Sequence, residues 1–375
     1  MSGRRLLIVT NDFPPRQGGI QSFVYELARR LPPHQVAVYT SDHPGAPEFD
    51  AEQEFPVRRH TSGLLVPTPA ARRRVLAARQ DFGSTSVWFG ACAPLGLLAA
   101  PLRRAGVRRL VASTHGHEAA WAMLPAARQA LRRIGHEVDV VTYLGEYTRR
   151  RLAGAFGPRA QLVQLTPGVD VGTFTPAVSG EAVRQRHGLS GRPVVVCVSR
   201  LVPRKGQDAL IRAMPAILGR VPAAALLIVG GGPYRQKLAE LAERTGVTGQ
   251  VVFSGAVPAA ELPEHFAAGD VFAMPCRTRR LGMDVEGLGI VFLEASASGL
   301  PVVAGNSGGA PDAVRAGETG LVVDGSDPGA VATAVSGLLA DRHRAAAMGA
   351  AGRLWTEQAW QWDALADRLA GLLHL

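Results

Sequence analysis

Short apolar runs alternate along the whole chain with longer stretches whose apolar residues recur every three or four positions. The runs at 6–10, 36–39, 87–89, 110–113, 138–142 and 162–165 have the length and the Val, Leu and Ile content of buried strands. Segments between them, such as 20–31, keep helical spacing. A second series opens at Val194 and continues at 226–229, 251–253, 271–274, 301–304 and 321–323. Such alternation predicts an α/β chain with two doubly wound units, each a parallel sheet covered by helices. Between the series, Thr166-Pro-Gly-Val-Asp170 and Phe174-Thr-Pro176 lead into polar residues up to Arg192-Pro193, the composition of a connection. The expected organisation is a first domain over 1–170, a linker over 171–192 and a second domain over 193–354. At the end, Trp362, Leu365, Ala366, Leu369, Leu372 and Leu373 keep helical spacing.

Chemistry enters where the strand runs stop. Asp284-Val-Glu286-Gly-Leu-Gly-Ile-Val-Phe-Leu-Glu294 sets Glu286 and Glu294 eight positions apart across a Gly-rich turn, and a helix is predicted to begin near Gly289. Glu286 on the loop can accept hydrogen bonds from pyranose hydroxyls and Glu294 on the helix from a ribose. The free N–H groups of Gly287, Leu288, Gly289 and Ile290 face a diphosphate. Upstream, Ser199-Arg200-Leu-Val-Pro-Arg204-Lys205-Gly206 follows the apolar run from Val194 and precedes a helical pattern over 207–218. Its cations therefore lie at the carboxyl end of a parallel strand, where open α/β sheets bind ligands. Lys205 is one of only two lysines in the chain, the other being Lys237. Its compact ammonium can follow moving phosphate charge, while the Arg200 guanidinium can hold two oxygens in a planar fork.

Two Gly-rich turns and one histidine motif stand at other strand ends. Gly18 and Gly19, after the first strand, allow backbone N–H groups close to a phosphate or sugar, and Asp12, Pro14 and Pro15 stiffen and charge the loop. Gly230 and Gly232 occupy the corresponding turn of the second domain, suited to the nucleotide or to structure alone. Thr114-His115-Gly-His117-Glu118 follows the strand ending at Ser113. His115, His117 and Glu118 have metal-ligand chemistry. No fourth ligand cluster accompanies them, and a basic diphosphate site balances charge without a divalent ion, so no metal is predicted.

The two segments around Arg200 and Glu286 together resemble the retaining glycosyltransferases of the GT-B fold that carry a Glu-x7-Glu motif, and the likeness covers the whole chain. The resemblance implies two Rossmann-like domains facing across a cleft, with the terminal helix, over 355–375, packing back on the first domain. It implies that Arg200 and Lys205 bind the donor diphosphate, Glu286 the transferred sugar and Glu294 the nucleotide ribose. His115 would lie by the transferred sugar as a catalytic residue. The donor would also meet Gly18, Gly19, Gly230, Gly232, Gly287, Leu288, Gly289 and Ile290. A closer resemblance rests on Asn11-Asp-Phe-Pro-Pro-Arg-Gln-Gly18-Gly19-Ile-Gln21, on Ser113-Thr-His115-Gly-His117-Glu118 and on Val285-Glu-Gly-Leu-Gly-Ile290. It is to the actinobacterial members that move mannose from GDP-mannose to phosphatidylinositol mannoside lipids. Asp12, Gln21, His117 and Glu118 are then the expected acceptor-binding residues, and no cofactor beyond the sugar nucleotide is implied. The chain departs from these relatives at Arg279-Arg280-Leu281-Gly282-Met283, where a Gly-richer run is expected, and at Asp312, where Glu is usual.

Composition narrows the alternatives. The 375 residues are 47% hydrophobic, enough for two ordinary cores. Cys92, Cys197 and Cys276 lie in or beside apolar runs and read as buried thiols of a cytosolic protein. Residues 6–9 are too short for a signal-peptide core, and the apolar run 91–102 is about half the length of a bilayer crossing. Of the net charge of +10, residues 1–176 carry +9, with 22 arginines against 13 acidic residues. The basic surface thus belongs to the first domain. Residues 127–134 and 69–76 read as basic amphipathic helices able to lie on an anionic leaflet. The expectation is a cytoplasmic protein peripherally bound to the inner face of the plasma membrane. No strand leads into Gly-x-Gly-x-x-Gly with an acidic residue about twenty positions on, against a dinucleotide oxidoreductase. No aromatic platform or recognition module accompanies the arginines, against a nucleic-acid partner. A glycoside hydrolase has no use for a basic diphosphate cradle.

Overall fold

The computed structural model describes residues 4–116 and 118–375. They form two compact units, one running to Gly168 and including Trp362–Leu375, the other Val169–Gln361.

The first unit is a seven-stranded parallel sheet. Its strands are β1 (Leu6–Thr10), β2 (Val36–Thr40), β3 (Val57–Arg59), β4 (Ser86–Phe89), β5 (Arg109–Ser113), β6 (Val140–Tyr143) and β7 (Gln161–Gln164), in the order β3-β2-β1-β4-β5-β6-β7. Alternate side chains leave opposite faces. Leu7 and Val9 pack with Val75, Leu102 and Leu131, whereas Leu6 and Ile8 pack with Phe23, Leu27, Leu365 and Leu369. The last two come from the terminal helix Trp362–Leu373, which is tied down where Arg109 Nε donates to Leu372 O at 2.6 Å and Ser86 Oγ to Leu373 O at 2.9 Å. Residues 355–359 belong instead to helix Arg342–Ala359 of the other unit, because the backbone leaves the helical region at Trp360 (φ −125°).

The second unit holds β8 (Val194–Val198), β9 (Ala225–Val229), β10 (Val251–Gly255), β11 (Val271–Met274), β12 (Val302–Gly305) and β13 (Gly320–Val323), ordered β10-β9-β8-β11-β12-β13. Every pairing in both sheets is parallel. The stretch expected to link the domains contains a helix, Glu181–Arg186, that is fastened to this sheet by Arg184 donating to Asp270 at 3.0 Å. Strand order reverses between β1 and β4 and again between β8 and β11, so each unit has a crevice at the carboxyl ends of those strands. All the charged motif residues of the second unit lie on loops leaving β8 and β11 or just beyond them.

Candidate active site

The basic loop leaves β8 and turns into helix Gln207–Arg220 through a short helical turn, Pro203–Lys205. Gly206 makes that entry at φ +80°, and a Cβ there would come within 1.9 Å of Pro275 O. Only glycine fits both the left-handed backbone and the close approach of the chain leaving β11. Two side chains at the start of the helix then fix the loop. Buried Gln207 donates to Ser199 Oγ at 2.8 Å and to Arg200 O at 3.2 Å. Asp208, also buried, pairs with Arg277 at 2.9 Å, and the Arg277 N–H donates to Arg204 O at 2.8 Å. The loops after β8 and β11 are thereby held as one body. Sequence reasoning did not single out Asp208.

This frame brings the cations of one loop to the carboxylates of the other. Lys205 Nζ lies 2.7 Å from Glu286 Oε2, and both side chains are nearly enclosed, at 11% and 8% exposure. Arg204 stands 3.7 Å from both Glu286 and Asp284, and its buried Nε has no hydrogen-bond partner among the described residues. Arg204 is a site residue that the sequence reading left unranked beside Lys205. The Arg200 side chain is exposed and makes no ion pair among the described residues, while its carbonyl is held by Gln207.

The Glu286 backbone is braced from the other side. Gly309 N–H donates to Glu286 O at 2.9 Å, and Ser307 Oγ accepts from Glu286 N–H at 3.4 Å. The helix that follows is Ile290–Ala297, one residue later than expected. Gly289 precedes it at φ +82° with no side-chain cap, so the N–H groups of the first turn point out of the helix as anion donors. Glu294, within this helix, is partly buried, and burial pushes its carboxyl up to about 7. No partner for that carboxyl is found among the described residues. Gly230 and Gly232 spend their missing Cβ atoms on the protein itself: a Cβ would meet Ser199 O at 2.1 Å and Leu201 O at 2.4 Å. They hold the Arg200 loop against the turn after β9.

In the first unit, the loop after β1 is bound to the strand ends around it. Asp12 accepts from Gln21 Nε2 at 2.8 Å, Asn11 exchanges two hydrogen bonds with the Leu65 backbone, and Gly19 faces open space. His115 Nε2 lies 2.6 Å from Gly90 O, and its ring meets Phe23 edge-on at 5.0 Å. Glu118 is fully buried, with Oε2 accepting from the His115 N–H at 2.9 Å. Its geometry orients His115. His117 lies outside the described residues. Among the described residues no group of three His, Cys, Asp or Glu is gathered in metal-binding geometry.

Residues 180–355 match the family described as Glycosyl transferases group 1, and residues 17–173 match Glycosyltransferase Family 4. A GDP-mannose-dependent alpha-(1-6)-phosphatidylinositol monomannoside mannosyltransferase of Mycolicibacterium smegmatis is 57% identical, the alignment covering 98% of each chain. The GDP-mannose-dependent monoacylated alpha-(1-6)-phosphatidylinositol monomannoside mannosyltransferase of Corynebacterium glutamicum is 46% identical over 100% of this chain and 98% of its own. Among solved structures, Anabaena HepE in complex with UDP superposes with a TM-score of 0.82 at 19% identity, covering 99% of both chains, a likeness of fold. The chain belongs to the GT-B glycosyltransferase family of these mannosyltransferases.

Proposed function

We propose that this enzyme moves mannose from GDP-mannose to a phosphatidylinositol monomannoside, forming an α-(1→6) bond with retention of the anomeric configuration. The observation that carries the reading is the enclosed Lys205–Glu286 pair beside Arg204, whose buried Nε makes no hydrogen bond among the described residues, in a chain 57% identical to an enzyme named for that reaction. Breaking the bond between the anomeric carbon and the diphosphate leaves negative charge on phosphate and oxocarbenium-like positive charge on the sugar. Lys205, Arg200 and Arg204 address the first; Glu286 accepts from mannose hydroxyls and lies near the second. In front-face attack the acceptor 6-oxygen bonds the anomeric carbon on the side the diphosphate leaves, and its proton passes to the departing phosphate oxygen. Retention then needs no carboxylate nucleophile. In this reading His115, held by Glu118 and Gly90, serves the transferred sugar, and Asp12 and Gln21 serve the acceptor, the roles that the family resemblance assigns.

The lipid acceptor calls for a membrane surface, and the first unit supplies a basic one. Helix Pro125–Glu137 exposes Arg128, Arg132 and Arg133, with Met123 (46%) and Leu124 (58%) exposed just before it. Helix Pro69–Phe82 exposes Arg72, Arg73 and Arg74 beyond the exposed Leu64 and Val66. No helix of the described residues is long and apolar enough to cross a bilayer. Peripheral attachment to the anionic inner leaflet fits this surface, each nearby arginine contributing about 1 kcal/mol.

The test is transfer of label. Purified protein with phosphatidylinositol monomannoside is given radiolabelled GDP-mannose, UDP-glucose or UDP-N-acetylglucosamine in turn. Label from GDP-mannose alone should enter a lipid carrying a second mannose that α-mannosidase removes. Transfer from a uridine nucleotide instead, or a product resistant to α-mannosidase, overturns the proposal.

A further inference from the structure

Between β11 and Glu286 the chain makes a tight turn with two unfavourable features, left-handed backbone and an exposed apolar tip. Arg279 and Asp284 bridge antiparallel, the Arg279 N–H donating to Asp284 O at 2.9 Å and the Asp284 N–H to Arg279 O at 3.2 Å. Inside this clasp Arg280 and Leu281 sit at φ 49° and 54°, left-handed backbone that side chains disfavour. Leu281 is 94% exposed, the greatest exposure of any large apolar side chain among the described residues, and Met283 is 55% exposed. A glycine at 280 or 281 would relieve the backbone, and a polar residue would remove the apolar tip. The chain carries neither.

Charge and size decide what covers the tip. Arg279 faces Asp284 at 3.4 Å, and Arg280 makes no ion pair among the described residues. The turn thus offers two apolar side chains, Leu281 and the thioether of Met283, beside guanidinium groups. Two side chains on a convex turn fall far short of the roughly 800 Å² per partner that a stable protein interface buries. A convex tip likewise encloses no single acyl chain. An anionic lipid leaflet needs neither area nor a groove: it takes the apolar side chains into its acyl boundary and the arginines among its phosphates.

We infer that the turn 279–284 is a second lipid contact of this enzyme, seating Leu281 and Met283 in an anionic leaflet. The inference rests on the lipid-acceptor reading and adds to it. Asp284 closes the turn and is also the acid 3.7 Å from Arg204, and Glu286 follows two residues later. A seated tip therefore anchors the donor loops themselves at the surface where the acceptor resides.

The native cysteines make the test direct. Cys92, Cys197 and Cys276 are buried, and burial pushes the last two thiols up to about 12, so a thiol introduced at the surface takes up label alone. Leu281→Cys carrying an environment-sensitive dye is mixed with vesicles of phosphatidylinositol in phosphatidylcholine, or of phosphatidylcholine alone. Leu354→Cys, at a position 54% exposed in the same unit, is the control. The emission of the 281 probe should shift to the blue with the anionic vesicles only, and that of the 354 probe should not move. The unlabelled double variant Leu281→Ser/Met283→Ser should show a partition coefficient about tenfold below wild type. A 281 probe that stays water-like, whether or not the protein sediments with vesicles, overturns the inference; so does an equal shift at 354 or unchanged partition of the double variant. Mannose transfer by wild type is measured in parallel. Transfer without a probe shift defeats this inference alone, and a probe shift without transfer defeats the mannosyltransferase reading alone.

Discussion

Replacing Glu294 by Gln should make the protein more stable and a poorer donor binder, with both effects confined to neutral and higher pH. Burial raises the Glu294 carboxyl from 4.5 in the unfolded chain to about 7 in the folded one. The folded state therefore binds this proton more tightly. The stability associated with the neutral form is complete below pH 4.5 and is lost as the pH rises through 7. At pH 8 the ionised carboxylate costs the folded protein about 3 kcal/mol relative to its neutral form. Gln carries no such charge, but its amide also needs partners, which takes back about 1 kcal/mol. The net gain is about 2 kcal/mol, or a rise of about 4–8 °C in melting temperature for a unit of this size.

A ribose would reverse the preference. Its two hydroxyls donate to the ionised carboxylate, a charge-assisted arrangement stronger than the same bonds to an amide. Wild-type affinity for GDP should therefore increase as the pH rises from 6 to 8, while Glu294→Gln binds about tenfold more weakly at pH 8 and shows little pH dependence. Thermal unfolding at pH 4.5 and pH 8, with calorimetric titration of GDP at pH 6 and pH 8, reads both quantities. If Glu294→Gln melts no higher than wild type at pH 8, or if GDP binding to both proteins is indifferent to pH, then Glu294 is neither strained by burial nor a ligand of the nucleotide.

Glu286→Gln should lower kcat by about 10²-fold with a modest change in donor affinity, whereas Lys205→Ala should weaken both, since in the proposed reading the lysine meets the diphosphate before and during departure; steady-state kinetics with GDP-mannose separates the two. Each single change strands a charge now paired at 2.7 Å, so the double variant should be more stable to urea than the sum of the singles by about 2 kcal/mol. Asp208→Asn should loosen Arg277 and with it the Arg204 carbonyl, lowering kcat/KM about tenfold, and should also lower the melting temperature because Arg277 loses a buried ion partner; Asp208→Glu, which keeps the charge, should recover melting temperature more than activity if the exact position of the carboxylate matters. Gly206→Ala places a Cβ 1.9 Å from Pro275 O at φ +80° and should destabilise the protein by about 3 kcal/mol or more; a melting temperature within 2 °C of wild type would remove the argument that this glycine clamps the two loops.

The parts of the fold legible in the sequence are those where burial is continuous. Val194–Val198 and Leu6–Thr10 are buried at every position, and such runs announce themselves by composition. β3 was invisible, since Val57-Arg58-Arg59 is an edge strand with one apolar residue and partly exposed side chains. Helix Glu181–Arg186 buries only Val183 along its length, so its polar sequence reads as linker. In the site, Lys205 and Glu286, which spacing and charge single out, are brought to 2.7 Å from each other. Spacing and charge could not show that Arg204 joins Lys205 against Glu286, because that depends on how the loop after β8 folds back on the chain leaving β11. Nor could they find Asp208, whose partner Arg277 is 69 residues away. The glycines at 230 and 232 look from sequence like a ligand turn; their tightest neighbours are the carbonyls of Ser199 and Leu201.

The pairing of Lys205 with Glu286 explains how such a site tolerates having no donor bound. Neighbouring cations such as Arg204 and Lys205 repel one another, and an enclosed carboxylate without a partner carries an uncompensated desolvation cost. Paired at 2.7 Å, each group offsets the burial cost of the other. A nucleotide sugar supplies a substitute for both partners in one molecule, phosphate oxygens for Glu286 and hydroxyls for Lys205, so the exchange leaves neither group buried and bare. GDP alone replaces only one of them. It should then bind more weakly than its phosphate contacts suggest, and Glu286→Gln, which leaves Lys205 without its ion partner, should raise GDP affinity even as it lowers mannose transfer. Equal or weaker GDP binding by Glu286→Gln in calorimetry would mean that the pair is not opened by the diphosphate, and that Lys205 acts elsewhere.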